Sequence, residues 1–210
     1  MKNVFLLAII ASVIVACSSP SASTEASEAQ EEVAEAVATS VAYTVDVVNS
    51  QVAWRGTKPT GDFHGGLVSL TSGELSVENG AVSAGNFVVD MGSMVLTDEG
   101  LDEETTGKLL GHLKSPDFFD VEGHSTASFS ITGSTADSLT GNLTIKGVSK
   151  SISIPYTLTE EEGAVSANAE FSIDRTIWGV TYNSGNFFKD LGDYLIDDAI
   201  QFRVKLVATK

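Results

Sequence analysis

The chain has 210 residues, with 28 acidic against 12 basic side chains and a formal net charge of −16. That balance excludes nucleic-acid binding, which needs a positive surface against the phosphate backbone. It also excludes adhesion to an anionic membrane by charge alone. Cys17 is the only cysteine, so no disulfide can form within the chain.

The first segment reads as an export signal. Met1-Lys2-Asn3 precedes an apolar run from Val4 to Ala16. The run is short for a membrane span, which takes about 20 residues. Its ending, Ile14-Val15-Ala16-Cys17, resembles the lipobox of bacterial lipoproteins, with a small residue just before the cysteine. Residues 1–16 are therefore expected to be a lipoprotein signal peptide. Acylated Cys17 would be the mature N-terminus and the lipid anchor, each buried methylene adding about 0.8 kcal/mol of membrane affinity. Ser18 points to the outer membrane, with its periplasmic and outer faces both open. Residues 18–42 are rich in Ser, Ala, Glu and Thr and nearly free of bulky side chains. Such a stretch buries too little surface to offset its ordering entropy. It reads as a flexible tether which, extended at about 3.3 Å per residue, reaches on the order of 80 Å.

A folded domain is expected over residues 43–210. Tyr43, Val45 and Val47 alternate, and Val52 and Trp54 resume after Asn49-Ser50. Arg55 to Gly61 reads as a turn-rich break. Leu67–Leu70 reads as a strand turned by Ser72-Gly73, and Leu75 and Val77 as the next, with Glu78-Asn79-Gly80 as a hairpin signal. Phe87, Val89 and Met91 share one face. The alternation then stops. Leu109, Leu110 and Leu113 recur at helical spacing behind Asp102, Glu103 and Glu104, whose charges suit a helix start, and Ser115-Pro116 end the run. One short helix is expected near 102–114. Alternation resumes with Ala127, Phe129 and Ile131, then Leu139, Gly141, Leu143 and Ile145, then Ile152, Ile154 and Tyr156. It continues with Val165, Ala167, Ala169, Phe171 and Ile173, and ends with Ile200, Phe202, Val204 and Leu206. Many antiparallel strands with one wet face predict an all-β barrel or sandwich, and a single helix excludes a parallel α/β architecture.

Three stretches resemble one family. His112-Leu113-Lys114-Ser115-Pro116-Asp117-Phe118-Phe119-Asp120 is similar to the His-Leu-x-Ser-x-Asp-Phe-Phe-Asp segment of the YceI-like family of bacterial envelope proteins. Gly141–Val148 is similar to its Gly-x-Leu-Thr-Ile-x-Gly segment, and Asp174-Arg175-Thr176-Ile177-Trp178-Gly179 to its Asn/Asp-Arg-x-x-Trp/Phe-Gly segment. Leu191–Ile196 matches in kind, so the likeness runs from Tyr43 to about Val207. Many members carry an Arg-Asp pair shortly before the His-Leu. Here Leu109-Leu110-Gly111 stand there, and no role of that pair carries over. The resemblance implies a lipocalin-like antiparallel β-barrel. It also implies an apolar ligand, a polyisoprenoid lipid or isoprenoid quinone, held without covalent chemistry in the cell envelope.

An eight-stranded barrel can be packed solid or hold one small ligand, and period alone does not decide which. Phe87, Phe129, Phe171, Trp178 and Phe202 are the expected wall. Ala127, Gly141, Ala167 and Ala169 are small residues that would leave space. His112, Arg175 and Tyr182 are the expected mouth or headgroup residues, since a guanidinium fork suits phosphate oxygens. Asp174-Arg175 equally reads as an ion pair at the barrel rim, and Asp117 and Asp120 as turn caps or paired carboxylates. His64, His112 and His124 have no metal-ligand spacing, and no Gly-x-Ser-x-Gly elbow is present. No catalytic residue, metal or cofactor is expected. The alternative is a scaffold barrel with a packed interior that binds another envelope protein.

Overall fold

Period-two alternation becomes a wall of strands in the computed structural model, which describes residues 23–31 and 33–210. The strands are β1 (Ala26–Glu28), β2 (Val41–Val45), β3 (Gln51–Thr57), β4 (Phe63–Glu78), β5 (Ala81–Leu96), β6 (Thr126–Ser134), β7 (Ser138–Ile145), β8 (Val148–Pro155), β9 (Thr157–Glu161), β10 (Ala164–Asp174) and β11 (Ala199–Thr209). Helix α1 (Glu103–Lys114) lies between β5 and β6. Their order around the sheet is β1-β8-β7-β6-β5-β4-β2-β11-β10-β9, with β3 following β2 between β4 and β11. Strand β8 pairs with β7, and its continuation β9, one residue later, pairs with β10. That change of partner closes the wall into an antiparallel barrel.

The long strands depart from the sequence reading. Ser72-Gly73 was expected to turn the chain, yet β4 runs unbroken through it. A register shift between Leu70 and Ser72 bends the strand instead. At Gly73 a Cβ would stand 2.7 Å from Val45 Cγ2, so the missing side chain is what lets the neighbouring strand cross the bend. The break expected from Arg55 shrinks to residues 58–62, because Arg55, Gly56 and Thr57 extend β3 against β4 and β11.

Helix α1 begins where Asp102 accepts a hydrogen bond from the Thr105 amide at 2.7 Å, and ends at Ser115, whose amide donates to His112. The Thr105 bond holds the Asp102 carboxyl below its ordinary range. Leu113 is the fully buried residue of the helix. It faces the end of the barrel formed by the 58–62, 97–125, 146–147 and 175–198 connections, which the helix partly roofs.

The expected tether is not free over its described part. Strand β1 pairs with β8, and the amides of Thr24 and Ala34 donate to Ser172 and Ile131. Composition argued for a free chain because its side chains bury little. What the segment offers is backbone, set against the side of β8 that β7 does not pair. Residues 1–22, with the expected signal peptide and Cys17, lie outside the described residues.

Gly141, expected to leave space, has none to give. A Cβ there would stand 2.5 Å from the Phe129 ring and 2.7 Å from the Ser130 carbonyl. Gly141→Ala should therefore lower stability by about 1–3 kcal/mol through overpacking, measured by thermal or denaturant unfolding; an unchanged midpoint would refute this account.

Candidate functional site

The inward rows of the strands do not meet at the barrel axis. They enclose a chamber of about 1020 Å³, too large to be a packing defect in an interior of ordinary density. Its walls are apolar. Phe87, Val89 and Met91 of β5 line it with Phe129 of β6, Ile152 and Ile154 of β8, and Phe171 and Phe202 of β10 and β11. The rings of Phe171 and Phe202 stack with centroids 5.4 Å apart. Ala127, Ala167 and Ala169 also face the chamber, and their short side chains leave much of its width.

Trp178, expected on this wall, is placed elsewhere. It is fully buried behind the chamber, its indole N–H donating to the Leu143 carbonyl at 3.0 Å. A short 3₁₀ turn (Arg175–Trp178) swings the ring under the loop that follows β10, and there it packs that loop onto the sheet.

Arg175 borders the chamber, but its guanidinium is turned to the protein. Nε donates to the Asp197 carbonyl at 3.1 Å, Nη1 to Val180 at 2.7 Å and Nη2 to Ile196 at 3.1 Å. Its ion-pair partner is Asp198, 3.2 Å from Nη2, and not the adjacent Asp174. Asp174 caps the 3₁₀ turn instead, accepting from the amide and hydroxyl of Thr176. Burial pushes the guanidinium's pKa down, while Asp198, Asp174 and Asp197 push it back up. Arginine's ordinary value is so high that it stays charged. Arg175 is thus a cross-tie for the loop over the barrel end, with each of its three nitrogens bonded to a backbone carbonyl of that loop.

His112 lines the chamber from helix α1. Tyr182 does not, but its ring stands edge-on to His112 at 4.4 Å, and Phe118 stands edge-on from the other side at 5.8 Å. These contacts join the helix to the loop as a roof. Asp120 sits at a positive φ of 48° and its carbonyl accepts from the His124 amide, which makes it a turn residue. Among the described residues no three His, Cys, Asp or Glu side chains gather as metal ligands.

Residues of the 58–62 connection and the 97–101 loop form a polar rim on the chamber, and the sequence reading did not assign them to the site. His64 Nδ1 stands 2.8 Å from Asp98 Oδ2, and the other Asp98 oxygen accepts from the Gly65 amide at 2.9 Å. The Arg55 guanidinium lies 3.7 Å above the Phe63 ring. Lys58 reaches the Asp193 carbonyl at 3.2 Å. Asp62, Asp98, Glu99 and Asp197 border the chamber with Arg55 and Lys58, so carboxylates outnumber the permanent cations at the rim. The available signal was that polar residues at strand ends become the rim of a barrel, but it required knowing that β3 continues through Arg55.

Arg175→Met should unpair several buried carbonyls and strand Asp198. Stability should fall by about 3–5 kcal/mol, roughly 6–20 °C in Tm; a loss under a third of that, measured calorimetrically, would show that the cross-tie does not hold the roof.

The model of one family, the YceI-like domain, matches residues 43–208. Among solved structures, BcnA of Burkholderia cenocepacia is similar at 21% identity and TM-score 0.61, covering 79% of this chain and 99% of its own. A polyisoprenoid-binding domain from Saccharophagus degradans, implicated in plant cell wall breakdown, is similar at 12% identity and TM-score 0.56, covering 80% of this chain and 97% of its own. No curated protein matches.

Proposed function

From a chain that belongs to the YceI-like domain family across residues 43–208, we propose a protein that binds and carries a long apolar lipid, a polyisoprenoid or isoprenoid quinone, in the cell envelope. The observation that carries this reading is the chamber of about 1020 Å³ with its aromatic and aliphatic wall. Transfer of apolar surface from water contributes roughly 25 cal/mol per Å², or about 0.8 kcal/mol per methylene. A prenyl chain therefore needs little from the protein beyond a dry, shaped space. The polyisoprenoid-binding domain with the same fold supports the ligand class. The scaffold alternative calls for a filled interior, which the chamber does not supply.

The rim supports an uncharged head. A phosphate would meet Asp62, Asp98, Glu99 and Asp197 at the opening, and Arg175 is already bonded to carbonyls and Asp198. A quinone brings carbonyl acceptors and no charge, so Arg55, Lys58 or His64 can donate to it without repulsion from the carboxylates. Lipid extraction of the purified protein followed by mass spectrometry should return an isoprenoid near one per chain. Uptake followed by tryptophan fluorescence should favour a long-chain quinone over the matching polyprenyl phosphate by about tenfold, equivalent to 1.4 kcal/mol. Ala169→Trp should narrow the chamber and shift the extracted lipid toward shorter tails. A protein that comes out empty and takes up neither compound would overturn the function.

We place the protein at the membrane through acylated Cys17, on the strength of the lipobox. No helix among the described residues is long and apolar enough to cross a bilayer. Cys17→Ser should move the protein from the membrane to the soluble fraction with its unfolding midpoint unchanged. Continued sedimentation with membranes would disprove the anchor.

A further inference from the structure

Residues 24–30 and Ala34 precede the matched domain, yet they are bonded to four of its strands. The Thr24 amide donates to Ser172 of β10 at 2.6 Å. Ala26, Ser27 and Glu28 pair antiparallel with Ile152, Ser151 and Lys150 of β8. Glu28 and Lys150 form an ion pair at 2.6 Å on the outer face. The Gln30 amide and carbonyl take both ends of the Asn142 side chain on β7, at 2.8 and 2.7 Å. The Ala34 amide donates to Ile131 of β6 at 2.8 Å.

What lies beneath explains the attachment. Strands β8 and β10 do not pair with each other. Direct pairing on this side stops at Thr157 and Asn168, where β9 meets β10. From there toward the roofed end the two strands diverge, and β1 fills the gap. Ile152 and Ile154 line the chamber on one side of it, Ala169 and Phe171 on the other. In the gap itself the segment sets only one half-buried apolar side chain, Ala26, against the core.

This attachment is weak for its length. Ala and Glu are poor strand formers, and the Glu28 end of the ion pair is solvated, 89% exposed. A segment held by exposed main-chain bonds with little buried surface opens before the rest of a fold does. The position is also special. Six residues lie between Cys17 and Thr24, so a docked segment keeps an anchor at Cys17 within about 25 Å of the gap.

We propose that the seam between β8 and β10 is a lateral entry to the chamber, and that the segment from Thr24 to Gln30, with Ala26–Glu28 at its centre, is the strap that closes it. This rests on the lipid-binding reading. A long prenyl chain threaded tail-first through a charged rim must pass every unit across carboxylates. Laid in sideways through an opened seam, it meets Ile152, Ile154, Ala169 and Phe171 at once. The strap then re-forms its ladder and completes the wall.

The test is a reversible lock in the full chain. Glu28→Cys with Lys150→Cys places two thiols at directly paired positions of an antiparallel ladder, where Cα separations suit a disulfide; peptide mapping verifies that Cys17 is not involved. Stopped-flow tryptophan fluorescence then follows entry of a ubiquinone with a long prenyl tail and of one with a single isoprene unit. Oxidation should slow long-tail entry by about tenfold or more while leaving the short compound, which passes the rim, nearly unchanged. Dithiothreitol should restore the rate. The single variant Lys150→Glu, which sets like charges against Glu28, should speed long-tail entry. Equal long-tail rates in the oxidised and reduced protein overturn the lateral entry alone, as does equal slowing of both compounds. A protein that binds neither quinone in either state overturns the lipid-binding reading and the entry with it.

Discussion

A closed barrel requires that every strand edge find a partner, and here the two strands that should meet last do not. The alternation of apolar residues drives the strands of the matched domain to present one face inward, and unpaired backbone groups cannot remain on the resulting wall without cost. Strand β8 satisfies β7 along its length and, as β9, turns to satisfy only the first half of β10. The leftover edges are met by a segment with almost no apolar content, because backbone is all that an edge demands. Closure, chamber and N-terminal segment are consequences of one accounting of hydrogen bonds.

The two ends of the chamber problem are solved by different chemistry. Inside, volume is kept open by small residues, Ala127, Ala167 and Ala169, set among rings that would otherwise meet. A ring can also be brought closer, as at Gly141, where Phe129 occupies the space of the absent side chain. At the end of the barrel, the loop after β10 has no strand to pair with. The buried Arg175 gathers three of its carbonyls and Asp198 instead. Trp178 beneath it and Tyr182 against His112 complete a rigid roof. The rim is left to a mixed set of charges in which acid predominates, a poor setting for an anionic head and an adequate one for a neutral acceptor.

The secondary structure was largely legible in the chain, and the reason is periodicity. Rows such as Phe87, Val89 and Met91, or Phe202, Val204 and Leu206, reached the same face because a strand repeats every two residues whatever surrounds it. Helix α1 was legible for the same local reason, through Asp102, the first-turn acids and Ser115-Pro116. Errors came where a local signal had a tertiary competitor. Ser72-Gly73 carries turn residues but accommodates Val45 within a bent strand, and Ala26–Glu28 lie in the stretch read as tether yet pair with β8.

The candidate site divides along the same line. Composition, alternation and the quoted motifs sufficed by themselves for an acidic all-β domain with aromatic inward rows, because each of those properties belongs to single residues or to near neighbours in the chain. Whether the rows met or stood apart depended on strand number, stagger and the sizes of residues far apart in sequence. So did the commitment of Arg175 to Asp198 rather than Asp174, the withdrawal of Trp178 from the wall, and the assembly of Arg55, Lys58, His64 and Asp98 into a rim. Those were decided only by the tertiary structure, since a cavity, a mouth and a seam are relations between strands, and no single strand carries them.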